Sequence, residues 1–230
     1  MNESTWQLLL NSLGPLASGT IRGTIPLTLL SFAFGIVIAL AVALARISRF
    51  AWVRAAARVY ISVIRGTPLL VQLFIIFYAL PSLGIVIDPF TSAVVAFSLN
   101  VGGYASEVIR SAITSVPVGQ WEAAEMVGLT YWQTLRRVIL PQALRVAVPP
   151  LSNTFISLVK DTSLASSIMV VELLRKAQEI AAPTFEFLPL YVLAALYYWI
   201  ICTVLSFVQG RLERHLQKAY VSEGSRYVAA

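Results

Sequence analysis

The sequence predicts an all-α integral membrane protein with five transmembrane helices, and three observations carry that reading. Of its 230 residues, 58% are hydrophobic and only 12% are charged, whereas soluble domains carry about 25% charged residues. So much apolar side chain exceeds what one soluble core of this size can hide. The apolar residues also fall into five continuous runs, each long enough to cross a hydrocarbon core that takes about 20 helical residues. Finally, the basic residues collect in segments between alternate runs, as membrane topology requires.

Residues 1–19 carry Trp6, Leu8, Leu9 and Leu13, a pattern that predicts a short interfacial helix outside the membrane. Glu3 in place of a basic cluster, and the short apolar stretch that follows, argue against a secretory signal. The membrane domain is expected over 20–210, with spans near 24–45, 59–80, 91–113, 146–170 and 188–208, and a cytoplasmic tail over 211–230. Continuous rather than alternating hydrophobicity selects helices over a barrel.

Arg46, Arg49, Arg54 and Arg58 lie between spans one and two, and Arg136, Arg137 and Arg145 between three and four. Arg211, Arg214 and Lys218 follow span five, while the segment between two and three holds only Asp88. The positive-inside rule then puts the N-terminus outside and the C-terminus in the cytoplasm. Arg175 and Lys176 fall on the wrong side, within a helix-like outer stretch over 171–181 that also bears Glu172 and Glu179. The net charge of +6 is therefore a topology signal and no mark of nucleic-acid binding. Cys202, alone in an apolar run, reads as a small buried hydrophobe, and His215 as a solvated tail residue.

The segment between spans three and four is too patterned to be a linker. Residues 120–127 are helix formers followed by Gly128, a natural helix stop. Thr130 with Gln133 forms a capping box that starts a second helix, expected to end at Leu140-Pro141. Ala123 and Ala124 leave room for a partner surface, and Glu122 offers it a charge; a plain surface helix joining two spans is the alternative.

Polar residues within the spans form stripes. Asn100, Tyr104, Glu107 and Ser111 share one helical face, as do Asn153, Ser157, Lys160 and Asp161. Gln72 follows a break at Thr67-Pro68 on span two. Charges in a membrane helix are costly, so each marks a pathway or a partner. Glu107 suits an ammonium group; Lys160, or N–H groups freed near Pro68, suit a carboxylate. The structural alternatives pair Glu107 with Arg110 and Lys160 with Asp161, or use the stripes as interhelical glue. Gly102-Gly103 reads as close helix packing, and Arg65 as an interfacial anchor or a gate.

Glu122-Ala123-Ala124, Gly128 six residues after the glutamate, and Leu140-Pro141 at eighteen and nineteen resemble the coupling loop of ABC importer permeases. Val138 stands where that pattern has isoleucine. Arg65-Gly66-Thr67-Pro68-Leu69, Asn100, the 104–113 stretch and Lys160-Asp161-Thr162-Ser163-Leu164 are similar to the polar amino-acid branch. The Pro149–Asn153 run resembles bacterial cystine importer permeases. The resemblance covers about 19–217. It implies a type I ABC importer permease fold with a cytoplasmic coupling helix (loop about 117–141) in the bacterial inner membrane.

The same resemblance implies the partners: a second permease copy or paralogue, two ATP-binding-cassette ATPase subunits and an extracytoplasmic binding protein. It makes Glu122, Ala123, Ala124, Gly128, Leu140 and Pro141 the coupling residues. Gln72, Asn100, Tyr104, Glu107, Asn153 and Lys160 are the expected substrate ligands. The sequence holds no phosphate-binding Gly-rich loop, zinc motif or nucleophile elbow. No cofactor is expected on this chain, ATP and magnesium belonging to the ATPase. An amino acid is the expected cargo, cystine first. An anion or sugar permease on the same fold, a secondary transporter and an intramembrane enzyme are the competing readings.

Overall fold

The computed structural model describes the backbone of residues 3–227 and the side chains of residues 5–214. His215 and Lys218, read above, lie outside the described side chains. Among the described residues, three helices are long and apolar enough to cross a membrane by themselves, and two bent pairs raise the number to five.

The first span differs from expectation. Helix α1 (Glu3–Gly19) does not stop before the membrane: through a π turn at Thr20–Thr24 it continues directly into α2 (Ile25–Arg46). The joined apolar rod covers 42 residues, roughly 63 Å at 1.5 Å per residue. Pro26 fails to break it because the π turn re-registers the backbone ladder where the proline lacks a donor; the Ile25 N–H reaches the Thr20 carbonyl. The hydroxyls of Thr20 and Thr28 donate back to the carbonyls of Leu16 and Thr24, which keeps them satisfied in apolar surroundings.

The second span is no single helix. Helix α3 (Ala51–Gly66) and the stretch Leu69–Leu83, which opens with α4 (Leu69–Phe74), meet at 105°. Thr67 is extended, with φ −122° and ψ 146°, because the residue before a proline is driven out of the helical region. α3 buries Ala57, Ile61 and Ile64 on one face.

α5 (Pro89–Thr114) lies within two residues of its expected bounds and packs most extensively on α2 and α8. The Asp88 carboxylate caps it by accepting from the Thr91 N–H at 3.0 Å. Hydrogen bonds from Thr91, side chain first and then backbone, hold that carboxyl below its ordinary range. The glycine pair does allow close approach: a Cβ on Gly103 would stand 2.6 Å from Ile64 Cγ2, and one on Gly102 2.5 Å from Ile38 Cγ2.

α6 (Val118–Met126) and α7 (Tyr131–Thr134) follow. The second loop helix does not end at Leu140-Pro141. A π turn at Leu135–Ile139 leads straight into α8 (Leu140–Asp161). Pro141 again falls just after a widened turn, where its missing N–H disturbs least. Loop and span four are therefore one continuous rod.

Beyond a 3₁₀ turn at Thr162–Ile168 the chain bends by 46° into α9 (Leu173–Thr184), and α10 (Phe187–Tyr227) completes the fold. Glu172 is fully buried and caps α9, accepting from the N–H groups of Leu174 and Arg175 and from the Tyr198 hydroxyl. Arg175 and Lys176 lie 3.4 and 2.9 Å from Glu179, so their misplaced charge is partly neutralised. Cys202 is half-buried rather than enclosed. Trp199, Val204 and Phe207 of α10 are exposed, as lipid-facing side chains are.

Candidate functional site

Two polar stripes meet where the sequence places them. Asn100 and Tyr104 of α5 face Asn153, Ser157 and Asp161 of α8 across a cavity of about 480 Å³. Thr67, Pro68 and Leu69 supply the third wall, so the break between α3 and α4 opens onto it. The first N–H groups of α4 have no helical acceptor, which adds donors to this wall. Amide, hydroxyl and carboxylate groups thus surround a space within the usual size of a small-molecule site.

The expected ligand set divides. Asn100, Tyr104 and Asn153 line the cavity. Gln72 does not: its Nε2 donates to the carbonyls of Ile64 and Thr67 at 2.8 and 3.1 Å and to Thr67 Oγ1 at 2.9 Å. It satisfies carbonyls left over at the end of α3, while its Oε1 accepts from Asn100 Nδ2 at 3.3 Å. Gln72 therefore holds the bend and orients Asn100. Lys160 is exposed and absent from the lining; its long stem lets the ammonium leave the wall. Asn153 also accepts from Gln209 of α10 at 3.0 Å.

Glu107 lies in a second hollow of about 540 Å³, with Arg65, Ser111, Ser115 and Val146. Its Oε1 accepts from Arg46 Nε at 3.2 Å, and its Oε2 from Arg110 Nη2 at 3.0 Å. Both carboxylate oxygens already hold a guanidinium. Pairing with Arg110 was the structural alternative in the sequence, but Arg46 comes from α2 and carried no local signal.

Asp161, placed by the sequence on the α8 stripe and paired there with Lys160 but not counted among the expected ligands, lines the main cavity. Its spacing of i+4 from Ser157 and i+8 from Asn153 was the available clue. Thr67 and Thr154, which the sequence left unremarked as ligands, line it too.

The loop ends α6 as its glycine foretold. Gly128 has φ +81°; its N–H reaches the Glu125 carbonyl, and the Leu129 N–H reaches that of Ala124, the paired bonds of a Schellman stop. The capping box of Thr130 and Gln133 is complete in both directions. Trp121 stacks on Tyr131 at 5.7 Å. Glu122 and Ala123 are exposed, as are Met126 and Val127 at 88% and 75%. Ala124 is only 5% exposed, so it packs inward instead of opening room for a partner. Leu140 packs on the apolar cluster of Ile113, Leu135 and Ile139, and Pro141 is exposed.

Residues 31–218 match the family of binding-protein-dependent transport system inner membrane components. The chain belongs to this family. The permease is 60% identical to the L-cystine transport system permease protein TcyB of Bacillus subtilis, over 95% of this chain and 93% of that one. It is 44% identical to the glutamine transport system permease protein GlnP of Escherichia coli, over 88% and 94%. A crystal structure of an amino acid ABC transporter with histidines superposes with a TM-score of 0.84 at 35% identity, covering 90% and 96%. The MetNI methionine ABC transporter in an inward-facing form shares the fold, with a TM-score of 0.72 at 22% identity. The permease is thus a transport component and not an enzyme.

Proposed function

We propose that this permease carries L-cystine, or a polar amino acid like it, across the bacterial inner membrane as part of an ATP-driven importer. One observation carries the reading: the cavity between α4, α5 and α8, lined by Asn100, Tyr104, Asn153, Ser157 and Asp161. An amino acid presents an ammonium and a carboxylate. Asp161 answers the first, and the amides of Asn100 and Asn153 with the N–H groups at Leu69 answer the second. The 60% identity to a cystine permease supports cystine among the amino acids.

In this reading a second copy or paralogue completes the membrane pore, and an extracytoplasmic binding protein delivers the substrate. Two ATPase subunits hold ATP and magnesium. The N-terminus lies outside and the C-terminus in the cytoplasm, from the arginines at Arg46, Arg54, Arg136 and Arg145. Glu122, Ala123, Met126 and Val127 form the face of α6 that enters the ATPase. Gly128 ends that helix and Ala124 anchors it inward, while Leu140 and Pro141 open α8, Leu140 packing on the cluster beneath the loop. Because α7 and α8 are one rod, motion of the loop reaches Asn153 and Asp161 directly. ATP binding must favour one state of this rod over the other for any population shift to follow.

The test is uptake of labelled cystine into proteoliposomes holding the permease, its ATPase and its binding protein, with unlabelled amino acids as competitors. ATP-dependent uptake that excess cystine suppresses supports the proposal. Uptake that follows an ion gradient without ATP, or that only a sugar or inorganic anion suppresses, overturns it.

A further inference from the structure

The two hollows follow one another along α5 and α8. The deep one reaches Asn100 and Asp161; the shallow one reaches Ser111 and Ser115 in the last turn before the coupling loop. Among the described residues, only Tyr104 and Thr154 border both. They come from opposite walls, Tyr104 from α5 and Thr154 from α8. The pair therefore marks the junction of the two hollows.

The ring of Tyr104 is held. The Arg65 guanidinium lies over it, 5.3 Å from the centroid, within the range of a cation–π contact. Arg65 occupies the last turn of α3, immediately before the bend, and itself lines the shallow hollow. Thr154 is fixed too, its hydroxyl donating to the Pro150 carbonyl at 3.0 Å.

From this we infer that Tyr104 and Thr154 form a gate between the two hollows, with Arg65 as the latch that holds the Tyr104 ring across the passage. The inference rests on the deep cavity being the substrate's. The latch is suited to a substrate bearing a carboxylate. A guanidinium binds a carboxylate by charge-assisted, often bidentate hydrogen bonds, which outcompete an aromatic face. A carboxylate arriving at the gate draws Arg65 off the ring and frees Tyr104 to turn. Arg65 also stands beside the bend whose Thr67, Pro68 and Leu69 wall the deep cavity, so one movement of α3 against α4 alters cavity and latch together.

The test reads thiol reactivity in the assembled transporter, on a Cys202→Ser background. Ser111→Cys reports the shallow hollow and Ser157→Cys the deep one. A membrane-impermeant charged thiol reagent is applied from the coupling-loop side in the resting, substrate-free state. Ser111→Cys should react readily, and Ser157→Cys at least ten-fold more slowly. Tyr104→Ala or Arg65→Gln should speed Ser157→Cys several-fold while leaving Ser111→Cys unchanged. Tyr104→Phe, which keeps the ring face, should preserve the slow rate.

Equal rates at both positions in the parent, an unreactive Ser111→Cys, or an unchanged Ser157→Cys rate in Tyr104→Ala each overturns the gate. An excess of a disulfide-free cystine analogue, which cannot exchange with the reporter thiol, should protect Ser157→Cys. Without protection the substrate reading of the cavity falls, and the gate's role with it; with protection intact and no effect of Tyr104→Ala, the gate alone falls.

Discussion

Arg46 and Glu107 stand 61 positions apart in the sequence and 3.2 Å apart in the structure, Nε to Oε1. The contact pins the end of α2 to α5. With Arg110 on the other oxygen, Glu107 serves as a tie between helices more than as an open ligand. Charged partners left behind in a half-buried place are costly, which explains why the three residues occur together.

Glu107→Gln should therefore weaken the fold before it weakens recognition. The expected loss is roughly 2–4 °C in the melting temperature of the purified transporter, as for a ΔΔG of about 1 kcal/mol in a domain of this size. The KM for substrate should stay within about two-fold of the parent. A KM raised tenfold with an unchanged melting temperature would return Glu107 to the substrate.

Gly128 is surrounded by open space yet has φ +81°, so substitution there costs conformation and not packing. Gly128→Ala should cost about 1 kcal/mol of local stability and lower uptake modestly. Gly128→Pro, which removes the N–H that bonds Glu125 and forbids positive φ, should uncouple the system. Uptake falls tenfold or more while the ATPase still assembles with the permease. Parallel uptake and ATPase assays check this, and full activity of both in Gly128→Pro would refute the coupling role of the loop.

Gly23 and Gly14 offer a matched pair on the first rod. A Cβ on Gly23 would collide with the Val171 carbonyl oxygen and Glu172 Cα, whereas one on Gly14 meets nothing. That contact brings the π turn of the first rod against the entry to α9, where the Leu173 N–H donates to Thr24 Oγ1. Gly23→Ala should cost about 1–3 kcal/mol, the range of core overpacking, and reduce the yield of folded protein. Gly14→Ala should express like the parent. Size-exclusion profiles of the two variants settle the point.

Local chemistry made much of this molecule readable. The bounds of α5 follow from its apolar run and the Asp88 cap, and the Gly128 stop and Thr130 capping box depend on neighbours within a few residues. The stripes on α5 and α8 come from helical periodicity alone, which is why Asn100, Tyr104 and Asn153 converge as expected. What escaped depends on partners distant in sequence or on the backbone ladder itself. Pro141 marked a helix end, but the π turn before it absorbs the missing donor and keeps the rod continuous, as the π turn before Pro26 does in the first rod. Gln72 looked like a ligand because its carbonyl partners on Ile64 and Thr67 exist only once the chain bends. Glu107 offered only Arg110 as a partner because Arg46 lies on another span, and Asp161 looked paired because Lys160 is its neighbour.

Paired uptake assays of Asp161→Asn and Glu107→Gln test most directly which carboxylate meets the substrate. Both variants are measured in proteoliposomes with the ATPase, the binding protein and labelled cystine. Losing one charge-assisted contact of about 1.5–3 kcal/mol should raise the KM of Asp161→Asn roughly 10- to 100-fold, with basal ATPase preserved and Glu107→Gln near the parent. A normal KM in Asp161→Asn with a large rise in Glu107→Gln would contradict the cavity between Asn100 and Asp161 as the substrate's place.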